Sequence, residues 1–146
     1  AGLPRFAGAS MLAGQMWLAV AGGIWLVAGQ PHEGAAYDAV VHAVFLGFTI
    51  SMIMAHAPTI LPAVTKLPLP YRPEMWIPWL LLQVSLAVRL WGGDALGNDT
   101  AREIGGAGNA AALLLFFAVA VISVLRGQPS KSTTTTTRQA KGRVAR

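Results

Sequence analysis

Apolar residues along this chain gather into four long runs rather than short alternating or amphipathic stripes. The runs cover 11–28, broken by Gln15; 37–57, which holds His42 and His56; 75–91, with Gln83 and Arg89; and 104–125, with Asn109. About 18 residues of helix, at about 1.5 Å each, cross the roughly 30 Å of bilayer hydrocarbon. Lipid offers no hydrogen bonds to backbone groups, so each run is expected to be an α-helix. Pro78 falls in the first turn of the third run, where its missing N–H costs nothing. The pattern predicts an all-α, polytopic membrane protein: a bundle of four transmembrane helices.

The segments between the runs are expected to be loops. Residues 29–36 join the first pair. Residues 58–74 carry Pro58, Pro62, Pro68, Pro70 and Pro73 and are expected to be extended and stiff. Residues 92–103 join the last pair, with Gly92-Gly93 expected to end the third helix. Beyond Arg126 the character changes: residues 127–146 hold five consecutive threonines, Thr133 to Thr137, among scattered basic side chains. A segment with no apolar face cannot offset its ordering entropy, so a disordered tail is expected beside the membrane domain of residues 1–126.

Composition sharpens this picture. The chain is 54% hydrophobic and 12% charged, against roughly 25% charged in a soluble domain, and its mean hydropathy is +0.53. A water-soluble globule and a disordered protein are both excluded. The net charge of +5 is a property of the tail, because six of the eleven Lys and Arg lie in the last 21 residues. No basic face runs through the body, so the expected partner is the bilayer and not nucleic acid. With no cysteine, disulfides, thiolate metal sites, iron–sulfur clusters and covalent haem attachment are excluded for this chain. The chain begins with Ala1, and its first run lacks a clear small-residue cleavage site. That run is therefore expected to be a retained span rather than a signal peptide.

Four spans put both termini and the Pro-rich loop on one side. That side collects nine Lys and Arg (Arg5, Lys66, Arg72 and the six of the tail), and the other side has two, Arg89 and Arg102. The positive-inside rule then predicts cytoplasmic termini. Trp25 and Trp91 fall toward one interface, Trp76 and Trp79 toward the other.

Ionisable side chains within a span are functional candidates, and the second run has two. His42 and His56 are 14 residues apart. In a straight α-helix that is four turns to within about 40°, with about 21 Å of rise between them. The two imidazoles are thus expected on one face, turned to a bundle interior, one near each leaflet, with Thr49 midway between them. A ladder of small residues spaced by four (Ala39, Ala43, Gly47, Ser51, Ala55) is expected on the opposite side as a close-packing surface. Imidazoles so placed suit axial ligation of non-covalent b-type haem, one ring nitrogen on iron and the other held by an acceptor. The spacing is similar to that of dihaem cytochrome b helices. Plain hydrogen-bonded bundle histidines are the alternative.

Ligand supply limits the haem reading. Two bis-histidine haems need four histidines and the chain has three. His32, in a loop, is a further candidate ligand for the nearer site. Met11 and Met16 are soft donors but better explained as packing residues. Missing ligands would come from other membrane subunits or from a homo-oligomer.

His42-Ala43 with Gly47-Phe48, then Met52-Ile53 with His56-Ala57-Pro58, resemble the H-A-x-x-x-G-F and M-I-x-x-H segments of NnrS-like putative haem-copper membrane proteins. Arg89 to Asp94, Gly105-Gly106 and Asn109-Ala110 are similar to their last helix pair, so the resemblance spans residues 37–125. It implies that His42 and His56 are haem or metal ligands, with copper as a further possible metal, and a role in nitric oxide or nitrosative-stress handling. Those proteins are bacterial, so the resemblance implies a bacterial inner membrane, and they usually have many more spans.

The other intramembrane polar residues have simpler roles open to them. Arg89, near its helix end, is expected either to reach the interface or to pair with a haem propionate near His42. Asn109, Gln15 and Gln83 are expected to make interhelical hydrogen bonds. No nucleophile–base pair, paired carboxylates or nucleotide-binding loop is present. The expected function is a membrane haem protein of electron transfer or nitric oxide handling. The alternatives are a structural or assembly subunit without metal, and a transporter with the histidines on a proton path.

Overall fold

The computed structural model describes residues 2–29, 32–65, 69 and 71–126. The predicted tail, 127–146, lies outside the described residues. All four runs are helices, and each is long and apolar enough to cross a membrane. Helix α1 is Gly2–Ala28. Helix α2 starts as Gly34–His42, widens into π-helical turns over Ala43–Ile50 and continues as Ser51–Thr65. Helix α3 opens with a 3-10 turn, Pro73–Met75, runs through Trp76–Ala87 and widens over Val88–Ala95. Helix α4 is Asp99–Arg126. In chain order, α1 packs on α2, α2 on α3, and α3 on α4.

The helices outrun the apolar runs that announced them. Pro58 and Pro62 lie inside α2 rather than in an extended loop. Each removes one backbone donor, but their spacing of four stacks both defects on one side, and a continuous helix satisfies the remaining groups better than a broken one in lipid. Gly92-Gly93 does not end α3 either. The turn into α4 is only residues 96–98, with Gly97 at φ +65°, and Asn98 Oδ1 caps α4 by accepting from the Ala101 amide at 3.0 Å. The glycines instead allow contact: a Cβ on Gly93 would lie 2.9 Å from the Cα of Arg102, and one on Gly105 2.7 Å from the amide nitrogen of Arg89. Glycine is used here for close helix approach.

Two buried apolar clusters hold the bundle, one toward each end. Phe6, Met54, Leu69, Met75, Leu82, Ala112 and Phe116 form the first, and Trp17, Ala21, Ala39, Ala43, Leu86 and Leu90 the second. Polar ties cross between them. Trp17 Nε1 donates to Gln83 Oε1 at 2.6 Å, and Gln83 Nε2 donates to Ser51 Oγ at 3.0 Å, linking α1, α3 and α2. Ser85 Oγ lies 2.6 Å from Asn109 Oδ1 and 2.7 Å from the Leu81 carbonyl. One hydroxyl proton cannot serve both. With the Asn109 amide oxygen and nitrogen exchanged, Nδ2 donates to Ser85 and Ser85 to Leu81, which also gives the otherwise unpartnered Nδ2 an acceptor. Gln15, by contrast, is exposed on α1 and ties no helices together among the described residues.

Candidate functional site

The π-helical turns between the histidines decide the geometry of α2. The small-residue ladder advances by strict fours, and in a straight α-helix each step overshoots a full turn by about 40°. Its last member would then sit about 160° from its first. Yet Ala39, Ala43, Gly47, Ser51 and Ala55 are all buried. An i→i+5 turn holds roughly one residue more than an α turn, so it rotates each residue less and keeps the ladder facing inward. Gly47 is the closest point, where the chain meets the Trp17 side chain of α1.

The same turns separate the histidines. Eight of the intervening positions rotate by roughly 80° each instead of about 100°, which leaves the imidazoles roughly 160° apart. They do not share one face. His42 lies on the flank toward α3, where its neighbour Asp38 pairs with Arg89. His56 lies on a flank with Phe48 and Met52, and Met52 reaches toward Gly14 of α1. Nor is the histidine side a bundle interior: His56, Phe45 and Ile53 are exposed on the outer surface of the four helices.

Locally the two sites are alike. His42 Nδ1 is 2.8 Å from the carbonyl of Asp38, and His56 Nδ1 is 2.7 Å from the carbonyl of Met52, each four residues earlier on the helix. A carbonyl only accepts, so the Nδ1 proton is assigned by its partner and the lone pair falls on Nε2. His56 opens onto an apolar groove of about 400 Å³ lined by Phe48, Thr49, Met52, Ile53, Ile60 and Leu61. Thr49 Oγ1 donates to the Val44 carbonyl at 3.1 Å and does not bridge the histidines.

His42 is embedded in a charged network that sequence reasoning missed. Arg89 NH2 donates to Asp38 Oδ2 at 2.7 Å, and Asp38 Oδ1 is 3.3 Å from His42 Nδ1. Arg89 NH1 reaches the Arg102 carbonyl at 3.4 Å. Arg102 in turn pairs with Asp94 at 3.1 Å and Asp99 at 3.3 Å. Arg89 is therefore tied to Asp38 of α2 through NH2. The signal for Asp38–His42 was present as an i, i+4 pair; the Arg89 partner, 51 residues away in sequence, was not.

The remaining candidates stay apart. His32 is exposed beside the start of α2, and Met11 and Met16 are exposed on α1. Among the described residues no group of three His, Cys, Asp or Glu side chains could hold a metal ion.

Over residues 1–125 the chain matches the model of a family described as a domain of unknown function, DUF8744. No curated protein and no solved structure matches it. The family match spans all four helices, and the chain belongs to this family.

Proposed function

We propose that this chain, a member of the DUF8744 family, is an integral membrane haem-binding protein serving electron transfer or nitric oxide handling, with His42 and His56 as the residues whose imidazoles would hold b-type haem. The observation that carries the reading is the shared local geometry: at both positions a backbone carbonyl holds Nδ1, at 2.8 Å and 2.7 Å, and leaves Nε2 as the donor. A porphyrin brings four equatorial nitrogens of its own, so a single imidazole per site is an adequate protein donor. A bound haem would supply an iron that exchanges electrons or binds a small gas. The chain orients each imidazole through its own helix, and Phe48, Ile53, Ile60 and Leu61 line an apolar groove beside His56. A further protein ligand would come from another subunit or a second copy. The donor set does not fit a copper site built by this chain alone, and none is proposed. The nitric oxide role rests on the NnrS-like resemblance.

The test is spectroscopic. Protein expressed with ample haem and purified in detergent should show a Soret band. His56→Ala should lower the haem content, and His42→Ala should lower it independently, because the sites lie on different flanks. Ala keeps the helix intact. Wild-type protein without Soret absorbance would end the haem reading. A Soret band that survives both changes would reassign the ligands to His32, Met11, Met16 or a partner.

One observation favours a second reading for His42. Its contact with the Asp38–Arg89 pair is what an assembly subunit without metal would use to fix α2 against α3. Wild-type protein that carries no haem, and whose bundle loosens in His42→Asn, would support that role.

The orientation proposed is a bacterial inner membrane with cytoplasmic termini, supported by the nine-to-two Lys and Arg asymmetry. A reporter fused after Arg146 is expected to be active in the cytoplasm. Activity confined to the periplasm would reverse the orientation.

A further inference from the structure

The charged network around Arg89 borders a polar cavity with unused hydrogen-bonding capacity. The cavity, about 320 Å³, is lined by Gly34, Ala35, Asp38, Arg89, Asp94 and Arg102. It holds two guanidinium groups and two carboxylates, so its wall has no net charge. The Asp94 side chain is only 3% exposed, and its Oδ1 pairs with Arg102. Its other oxygen, Oδ2, is buried with no hydrogen-bond partner among the described residues, and so is Arg89 Nε. A buried carboxylate oxygen without a donor is costly. This cavity therefore lacks one N–H or O–H donor for Asp94 and one acceptor for Arg89.

A second cavity shares two lining residues with the first. It is apolar, about 410 Å³, and lined by Val20, Ile24, Ala39, Leu90 and Trp91, with Ala35 and Asp94 common to both cavities. Polar and apolar compartments thus lie side by side at the end of the bundle where α2 begins and α3 turns into α4.

We propose that the two cavities form one site for a phospholipid with a primary-ammonium, zwitterionic head group of the phosphatidylethanolamine type. The ammonium donates to Asp94 Oδ2, the phosphate accepts from Arg89 Nε, and an acyl chain follows the Val20–Ile24–Leu90–Trp91 groove. Charge complementarity selects the head group. A wall of two positive and two negative groups matches a zwitterion better than an anionic lipid. A trimethylated head group has no N–H to give Asp94. This site does not depend on haem.

The experiment compares lipids on the intact, delipidated protein reconstituted in nanodiscs of defined composition. Retained lipid is counted by native mass spectrometry after release. Phosphatidylethanolamine should be retained about tenfold over phosphatidylcholine, the ratio expected for one charge-assisted hydrogen bond. It should also exceed phosphatidylglycerol. Asp94→Asn should remove the preference over phosphatidylcholine. Because that change also breaks the Arg102 pair, Ala35→Phe is the second variant. Ala35 is exposed, lines both cavities and makes no ion pair, so Phe there should block retention without unfolding the protein. Glycerophosphoethanolamine, the same head group without acyl chains, should compete poorly. Equal retention of phosphatidylethanolamine and phosphatidylcholine would overturn the head-group assignment. Preference for phosphatidylglycerol would make it an anion site, and full competition by glycerophosphoethanolamine would remove the tail groove. Retention unchanged in Ala35→Phe would mean that only water fills the cavities.

Discussion

Gly47→Val is expected to force α1 away from α2 and destabilise the bundle by roughly 1–3 kcal/mol, the range for overpacking a close contact. Helix propensity alone points the other way, since replacing a mid-helix glycine gains about 0.5–1 kcal/mol. Sterics should win because a Cβ at Gly47 meets the Cβ and Cγ of Trp17, the part of that side chain nearest its backbone. No rotamer change clears it, so the helices must separate. Trp17 would then lose its 2.6 Å bond to Gln83 and loosen the tie from Gln83 to Ser51. Unfolding of the purified protein by added SDS, followed by tryptophan fluorescence, measures the loss. Gly23→Ala is the control, because a Cβ there meets nothing within 4 Å. Equal stability of Gly47→Val and wild type would show that α1 and α2 do not approach this closely.

Arg89→Met should also destabilise the protein, by roughly 1–3 kcal/mol. Breaking a fully buried pair by removing one partner costs about 3–5 kcal/mol, and an exposed pair is worth about 0–1. The Asp38–Arg89 pair lies between these limits, with side chains 38% and 15% exposed. Most of the loss should come from Asp38, left with only the His42 imidazole beside it. Asp38→Leu in the Arg89→Met background is therefore expected to recover much of the stability, as apolar replacement of both partners often does. A double-mutant cycle on the same SDS unfolding measures the coupling. Additive single-variant effects would show that the two side chains do not interact. The cycle also probes His42, whose orientation shares the Asp38 carboxylate.

Much of the architecture could be read from local pattern. Four runs too apolar for water become four helices because lipid leaves the backbone no other partner. Where the runs end was less legible. Pro58 and Pro62 read as loop formers, and Gly92-Gly93 read as a helix stop, because their intrinsic preferences are strong in water. In the bundle, α2 continues through its prolines and the glycines of α3 are packed against Ala101 and Arg102. Tertiary packing overrode propensity at both places.

The candidate site divides in the same way. Asp38 and His42, spaced by four, and His56 after Met52 are local relations on one helix, so the Nδ1 contacts were within reach of the sequence. Even the π-helical turns left a trace: a small-residue ladder spaced by four over Ala39 to Ala55 cannot stay on one face of a 3.6-residue helix. Taking that helix as straight put the imidazoles on a common face, and the widened turns part them.

The sequence by itself determined that the chain has four runs long and apolar enough to cross a membrane as helices, that it has no thiol chemistry, and that the imidazoles within those runs lie on one helix. These follow from composition and run length, which act locally and need no partner. Only the tertiary structure decided that Arg89 meets Asp38, that Gln83 joins three helices, and that Asp94 is buried between a polar and an apolar cavity. Those are contacts between residues distant along the chain, set by how close the glycine and alanine surfaces let the helices come, and run length carries no information about that distance.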